Sequence, residues 1–323
     1  MLQLFGIMLN VIAPIMLVMA IGFGIGRRFN PDPRTLSVYL IYLFTPALVF
    51  QGIYETELSG GQVGGITVLV IGVALVMMVL SIIAARWFGY EARQEGALTI
   101  SVILVNAANY GIPLNTFAFG DEAGNIAIVY YVVSAIVGNI LGVYFASRGT
   151  SSIRDAVLNV FKVPIVYAAV IGLVLNVLNI DLPLVIQRSV IDIAAQASIP
   201  LMLALLGLQL SRVRFRPDYH RDQDTAPTLA TDIPAVLTGA GLRLLVSPLV
   251  ALGFALLLGL TGDVYSVAIV QSSMPTAVLA SALATQFGSD ARFVSAITVV
   301  STLASILTLS VLILLLGGVA VAI

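Results

Sequence analysis

Residues 106–115 read N-A-A-N-Y-G-I-P-L-N, and residues 271–276 read Q-S-S-M-P-T. Each stretch lies inside an apolar run long enough to cross a bilayer, and each sets a proline among amides and hydroxyls. Pro113 has no amide hydrogen and disfavours helical geometry at Ile112. Gly111 adds backbone freedom. Together they predict an interruption of about one turn in that helix. Pro275 is expected to free the carbonyls around Gln271 and Ser272. In hydrocarbon such groups cannot stay unpaired, so both breaks are expected to face protein or a wet cavity.

The surrounding composition places these breaks in a membrane. Of 323 residues, 59% are hydrophobic and 10% charged, and mean hydropathy is +1.07. A soluble domain carries about 25% charged residues, so a water-facing enzyme is excluded. The absence of cysteine removes disulfides, zinc–thiolate sites and thiol catalysis. The one histidine, His220, lies in the most polar stretch, and no metal or cofactor is expected. A net charge of −1 implies no nucleic-acid partner. The bilayer itself is the expected environment. Ten apolar runs bounded by charges and glycine predict an all-α integral membrane protein, with spans near 3–26, 36–54, 63–85, 95–119, 124–147, 160–179, 189–210, 233–260, 264–287 and 292–317. The runs are continuous rather than alternating, which argues against a barrel. The first run is long enough to span and has no basic residue before it, so it does not read as a cleavable signal.

Loop charge sets the orientation. Arg27, Arg28, Arg34, Arg86, Arg93, Arg148, Arg154, Lys162, Arg212, Arg214, Arg216, Arg221 and Arg292 follow or adjoin the odd-numbered runs, thirteen of the fifteen basic residues. The opposite loops hold Arg188 beside Glu55, Glu57, Asp121, Glu122, Asp181 and Asp263. Basic loops stay cytoplasmic, so both termini are expected outside the cytoplasmic membrane. The polar loop 212–232 reads as a flexible cytoplasmic tether between two halves. Arg243 lies inside the eighth run; its side chain is expected to snorkel to the cytoplasmic interface, with a buried role in holding an anion or a partner as the alternative.

The chain also repeats itself. Pro14-Ile15 and Ile21-Gly22 in the first run match Pro164-Ile165 and Ile171-Gly172 in the sixth. Pro46 in the second run matches Pro200 in the seventh, and S-V-I-L-V-N from Ser101 matches S-V-A-I-V-Q from Ser266. Five spans per copy, residues 1–147 and 148–323, is an odd number, so the second copy enters the membrane inverted. That is the plan of many secondary transporters, with the site near the midplane where the repeats meet.

Two symmetric breaks predict crossing half-helices in the fourth and ninth runs. The N-terminal ends of the second halves, at Pro113 and Pro275, bring partial positive charge to the midplane and favour an anionic group there. Neutral amides and hydroxyls surround that point. Asn106 and Asn109 are three residues apart and share a face if the first half-helix extends that far. The candidate substrate-binding set is Asn106, Asn109, Gly111, Pro113, Gln271, Ser272, Ser273, Pro275 and Thr276. A purely structural role, gluing helices or re-satisfying kinked backbone, stays open for them. It is the preferred role for Asn10, Asn139 and Asn176, and Pro14, Pro46, Pro164, Pro200 and Pro248 read as kinks or packing features rather than ligands. No acidic residue sits at either break.

These residues carry a resemblance. N-x-x-x-x-G-I-P from Asn106, followed by G-D-E-A-G-N at 120–125, resembles the auxin efflux carrier family, as do I-P-L-M-L-A-L-L-G-L-Q-L at 199–210 and S-S-M-P-T-A-V-L-A-S-A-L-A-T-Q-F-G at 272–288. The last stretch is closer to microbial members than to plant ones, because the plant form has a second proline where Leu279 stands. The resemblance implies a carrier, and the microbial members include carriers for malonate, malate and related organic acids. It implies a scaffold of spans 1, 2, 6 and 7, able to pair two protomers into a homodimer through spans 2 and 7, and a moving unit of spans 3–5 and 8–10. That unit would carry a small organic anion across as an elevator, with Asn106 and then Gln271 as the leading substrate contacts. Two alternatives remain on sequence alone: a sodium-coupled symporter of the bile-acid carrier type, and a receptor that binds an anion without moving it. No nucleophile, base and metal set inside the spans suggests an enzyme.

Overall fold

The structure is a computed structural model that describes residues 2–147, 163–212 and 233–318. The boundary between the two expected halves and nearly all of the expected tether lie outside the described residues, as do Arg148, Arg154, Lys162, Arg214, Arg216, His220 and Arg221. In chain order the helices are α1 (Gln3–Phe29), α2 (Pro33–Tyr54), α3 (Gly60–Trp87), α4 (Ala92–Ile103), α5 (Ile112–Phe119), α6 (Asp121–Ser147), α7 (Pro164–Val177), α8 (Leu184–Ser211), α9 (Ile233–Leu257), α10 (Gly262–Ser272), α11 (Val278–Gln286) and α12 (Ala291–Leu315). Among the described residues, seven of these, α1, α2, α3, α6, α8, α9 and α12, are long and apolar enough to cross a membrane. The fourth and ninth apolar runs are each two short helices, α4 with α5 and α10 with α11. All regular elements described are helical.

Local chemistry sets the helix ends. Asp32 caps α2 by accepting from the Arg34 N–H at 3.0 Å, and Ser59 and Gln62 bond reciprocally at the start of α3. Asp290 caps α12 through the Phe293 N–H at 3.1 Å. Asn30 ends α1 in the left-handed region, at φ 50°.

The internal prolines bend the ladder without breaking it. Pro14, Pro46, Pro113 and Pro248 each follow a five-residue π turn, at Met8–Ile12, Leu40–Phe44, Ala107–Gly111 and Leu242–Val246. Pro200 follows a longer one, Gln187–Ala195. A proline cannot donate to the carbonyl four residues back, and its ring crowds that oxygen. Widening the preceding turn by one residue lets the chain pass with little loss of bonding.

Glycine brings backbones together. A Cβ on Gly207 of α8 would lie 1.9 Å from the Met19 carbonyl oxygen of α1, and one on Gly22 would lie 2.3 Å from the Ala204 oxygen. Gly172 of α7 faces the Phe50 carbonyl of α2 in the same way. Such small-residue contacts drive association where lipid removes the hydrophobic incentive. Polar side chains reinforce them. Asn176 donates to the carbonyls of Tyr54 at 2.7 Å and Thr56 at 3.0 Å, closing the C-terminal end of α2. Ser198 donates to Phe44 O at 2.7 Å, the last carbonyl of a π turn. Asn176 thus takes the gluing role expected of it. Asn139 instead bonds Ala135 O in its own helix, and Asn10 lies exposed.

Candidate functional site

The two breaks meet. Leu104 and Val105 leave the helix in extended geometry and pair antiparallel with residues 275–277. The Asn106 N–H donates to Pro275 O at 2.9 Å, and the Ala277 N–H donates to Leu104 O at 2.8 Å. Each unwound segment therefore satisfies the other's backbone, as hydrocarbon surroundings require. Thr276 adds two contacts: its hydroxyl donates to Ser101 O at 2.7 Å, and its N–H donates to Ser301 Oγ at 3.2 Å.

This geometry corrects the expected position of the first break. Gly111 and Pro113 do not interrupt the chain, because the π turn Ala107–Gly111 absorbs the missing proline donor and runs directly into α5. The interruption falls one to two turns earlier, at residues 104–106, where pairing with the other break stabilises extended backbone. Asn106 is thus the N-cap of the π turn rather than the end of the first half-helix, and Asn109 lies half-buried within that turn. In the second break Pro275 sits in the extended segment, and the second half-helix starts at Val278 with Ala277 as its N-cap. Gly111 is ordinary right-handed helix at φ −68°, so conformational freedom is not its role. A Cβ there would lie 2.1 Å from Gln271 Oε1. Glycine is needed for the close approach of that amide.

The predicted polar residues are brought together and buried. Gln271 is 0% exposed, and its Nε2 donates to Ala107 O at 3.3 Å and Ala127 O at 3.2 Å. Those two bonds orient the amide and turn Oε1 toward Gly111. Ser272 donates to Ala268 O at 2.8 Å, which makes the Tyr130 hydroxyl the donor to Ser272 Oγ at 2.9 Å. Ser273 donates to Ile269 O at 2.7 Å. These hydroxyls serve helical carbonyls beside the breaks, Ala268 and Ile269 in α10 and Ser101 in α4. The two amides differ: Asn106 is 5% exposed and its Nδ2 finds no hydrogen-bond partner, and Gln271 Oε1 finds none either. A buried donor left in that state costs roughly 1–3 kcal/mol.

Arg243 overturns its expected place at the interface. It is 2% exposed and reaches both breaks. Nε donates to Met274 O at 2.9 Å, Nη1 to Val102 O at 2.7 Å, and Nη2 to Ser247 Oγ at 3.0 Å and to Ser272 O. Unpaired carbonyls at two helix ends offer it more than the distant interface does. Its only sequence signal is that it is the charge in the middle of an apolar run. Tyr130 and Asn115 carried no signal; Asn115 donates to Gly111 O at 2.8 Å from α5. Beside Arg243 lies a cavity of about 20 Å³, lined also by Tyr130, Ser134, Val105 and Gly138. It has room for about one water, and none of the nine predicted residues lines it.

A family model described as membrane transport protein matches residues 7–154 and 148–313. An uncharacterized transporter of Methanothermobacter thermautotrophicus is 28% identical over 290 residues, covering 88% of this chain and 89% of that protein. An uncharacterized transporter of Methanocaldococcus jannaschii is 23% identical over 285 residues, covering 86% and 87% of the two chains. A probable auxin efflux carrier component of Oryza sativa subsp. japonica is 28% identical over 169 residues, covering 51% of this chain and 42% of its own length. With its all-helical fold and the family model spanning nearly its whole length, the chain belongs to the membrane transport protein family, that of the auxin efflux carriers.

Proposed function

We propose that this membrane transporter is a secondary carrier for a small organic anion, held where the two breaks cross. In this reading α4 with α5 and α10 with α11 each count as one span, giving ten, arranged as inverted repeats of five. The helices α1, α2, α7 and α8 form the scaffold, which pairs two protomers through α2 and α8. The helices α3–α6 and α9–α12 form the unit that moves as an elevator. The observation that carries the reading is the buried, unpartnered Nδ2 of Asn106 at the N-terminal end of a second half-helix. A donor placed on the positive end of a helix suits a carboxylate. Asn106 is nearly inaccessible in this conformation, so in this reading the substrate reaches it only when the moving unit shifts against the scaffold.

The test is counterflow. Purified protein in liposomes loaded with a mono- or dicarboxylate should accumulate the labelled acid from outside until the internal pool is diluted. The acid should be chosen by its effect on melting temperature, since a ligand that binds only the folded state stabilises it. Stabilisation without counterflow would instead mean a receptor.

Orientation is tested separately. Loop charge supports both termini outside. Single cysteines at Ser59 and Thr261 should react with an impermeant maleimide on intact cells, and one at Thr225 should not; the native chain contributes no background. Labelling at Thr225 without lysis would reverse the topology.

A further inference from the structure

We propose that Arg243 is a tethered cation standing where a transporter of this plan would otherwise need an ion from solution. Where helices break inside a membrane, the unwound carbonyls and the C-terminal ends of the half-helices are the groups that coordinate sodium. A hard cation needs several such oxygens converging on one point. Here they converge on the guanidinium. Val102 O belongs to the last turn of α4, Ser272 O ends α10, and Met274 O lies in the unwound segment. Ser247 Oγ completes the group, accepting from Arg243 while donating to Ser272 O at 2.7 Å. The oxygens that would build an ion site are committed to a side chain.

The charges match as well. Each helix C-terminus carries about half a negative charge. Two of them face one guanidinium, and together they offset about one positive charge. No carboxylate is needed for this balance, and the four partners of Arg243 are all neutral oxygens. A single charge buried in a bilayer without such compensation would be strongly unfavourable. Geometry favours arginine over lysine, because four bonds leave one rigid planar fork in three directions. Position is supplied by Pro248, whose π turn, Leu242–Val246, contains Arg243. Arg243 is therefore a positioning residue: it ties α9 to both broken helices and lets the crossing close without a bound ion. This inference rests on the two breaks and not on which solute is carried, so it can fail while the anion reading stands, and the reverse.

The test follows melting temperature of the purified full chain in detergent, with choline, sodium, potassium or dilute guanidinium chloride, the last well below denaturing levels. The wild type is expected to melt at one temperature in sodium, potassium and choline. Arg243→Ala is expected to melt roughly 5–10 °C lower, since removing a buried charge uncovers its partners. Guanidinium should restore part of that loss in Arg243→Ala and none in the wild type. Arg243→Lys, which keeps the charge with fewer directed donors, should lose less than Arg243→Met, a neutral side chain of similar length. Sodium raising the melting temperature of the wild type would overturn the proposal, and this arm stands even if no variant folds. Equal losses in the Lys and Met variants would also overturn it, because charge would then be irrelevant.

Discussion

Asn106→Asp is expected to weaken carboxylate binding at neutral pH more than any other single change at the crossing. The wild-type amide offers Nδ2 to the ligand from a site that is 5% exposed and where it has no protein partner. Losing such a bond to a charged partner corresponds to about 1.5–3 kcal/mol, or roughly tenfold to a hundredfold in affinity. Asn106→Ala should show that loss alone. The aspartate keeps the shape but adds a negative charge beside an anion in poorly hydrated surroundings, so its loss should be larger. Burial and the neighbouring anion both favour the protonated acid, so binding should partly recover as pH falls. Stability should move the other way from affinity. In the ligand-free protein Nδ2 is buried without a partner, and Asn106→Leu removes that unsatisfied donor. Its melting temperature should equal or exceed the wild type's while affinity falls. Unchanged affinity in all three variants would take Asn106 out of the site and remove the main support for substrate binding at the crossing.

Gly207→Val is expected to cause the largest loss of stability away from the crossing, with affinity intact in whatever protein folds. Its Cβ would meet the Met19 carbonyl oxygen at 1.9 Å and the Phe23 amide nitrogen at 2.8 Å. Both are backbone atoms of α1, so no side chain can swing aside, and the two helices must separate along their length. Overpacking of this kind costs about 1–3 kcal/mol in soluble cores. Here the loss should reach the top of that range, because close packing is the main attraction between helices in lipid. Gly207→Ala should lose less, and Gly64→Ala, whose Cβ would meet nothing within 4 Å, should lose nothing. A melting temperature for Gly207→Val equal to the wild type's would contradict the contact between α1 and α8.

The contrast between these substitutions bears on mechanism. Gly207 and Gly22 lie in the proposed scaffold, which must stay rigid. Gln271, Thr276 and Arg243 tie α4, α6, α9, α10 and α12 to one another across the breaks. A unit bonded this densely through its own centre is suited to travel as one body, as the proposed elevator requires.

What the sequence determined by itself are the features that follow from covalent structure and solvent. Continuous apolar runs must be helices in lipid, because no other open structure satisfies the backbone there. Pro275 in a run of amides and hydroxyls marks a helix that ends. Asn106 and Gln271 belong to a polar cluster beside freed backbone, which is rare in hydrocarbon, and the family resemblance put those two first within it. Only the tertiary structure decided where the first break falls. Pro113 demands some adjustment, but a widened turn and an interruption both answer that demand, and the choice depends on what lies opposite residues 104–106. The role of Gly111 depends on Gln271, 160 residues further along the chain. Arg243 depends on Val102, 141 residues away. A sequence records that a charge lies within an apolar run. Whether that charge reaches for water or for two helix ends depends on which carbonyls the fold leaves unpaired nearby, and that is a property of space rather than of order along the chain.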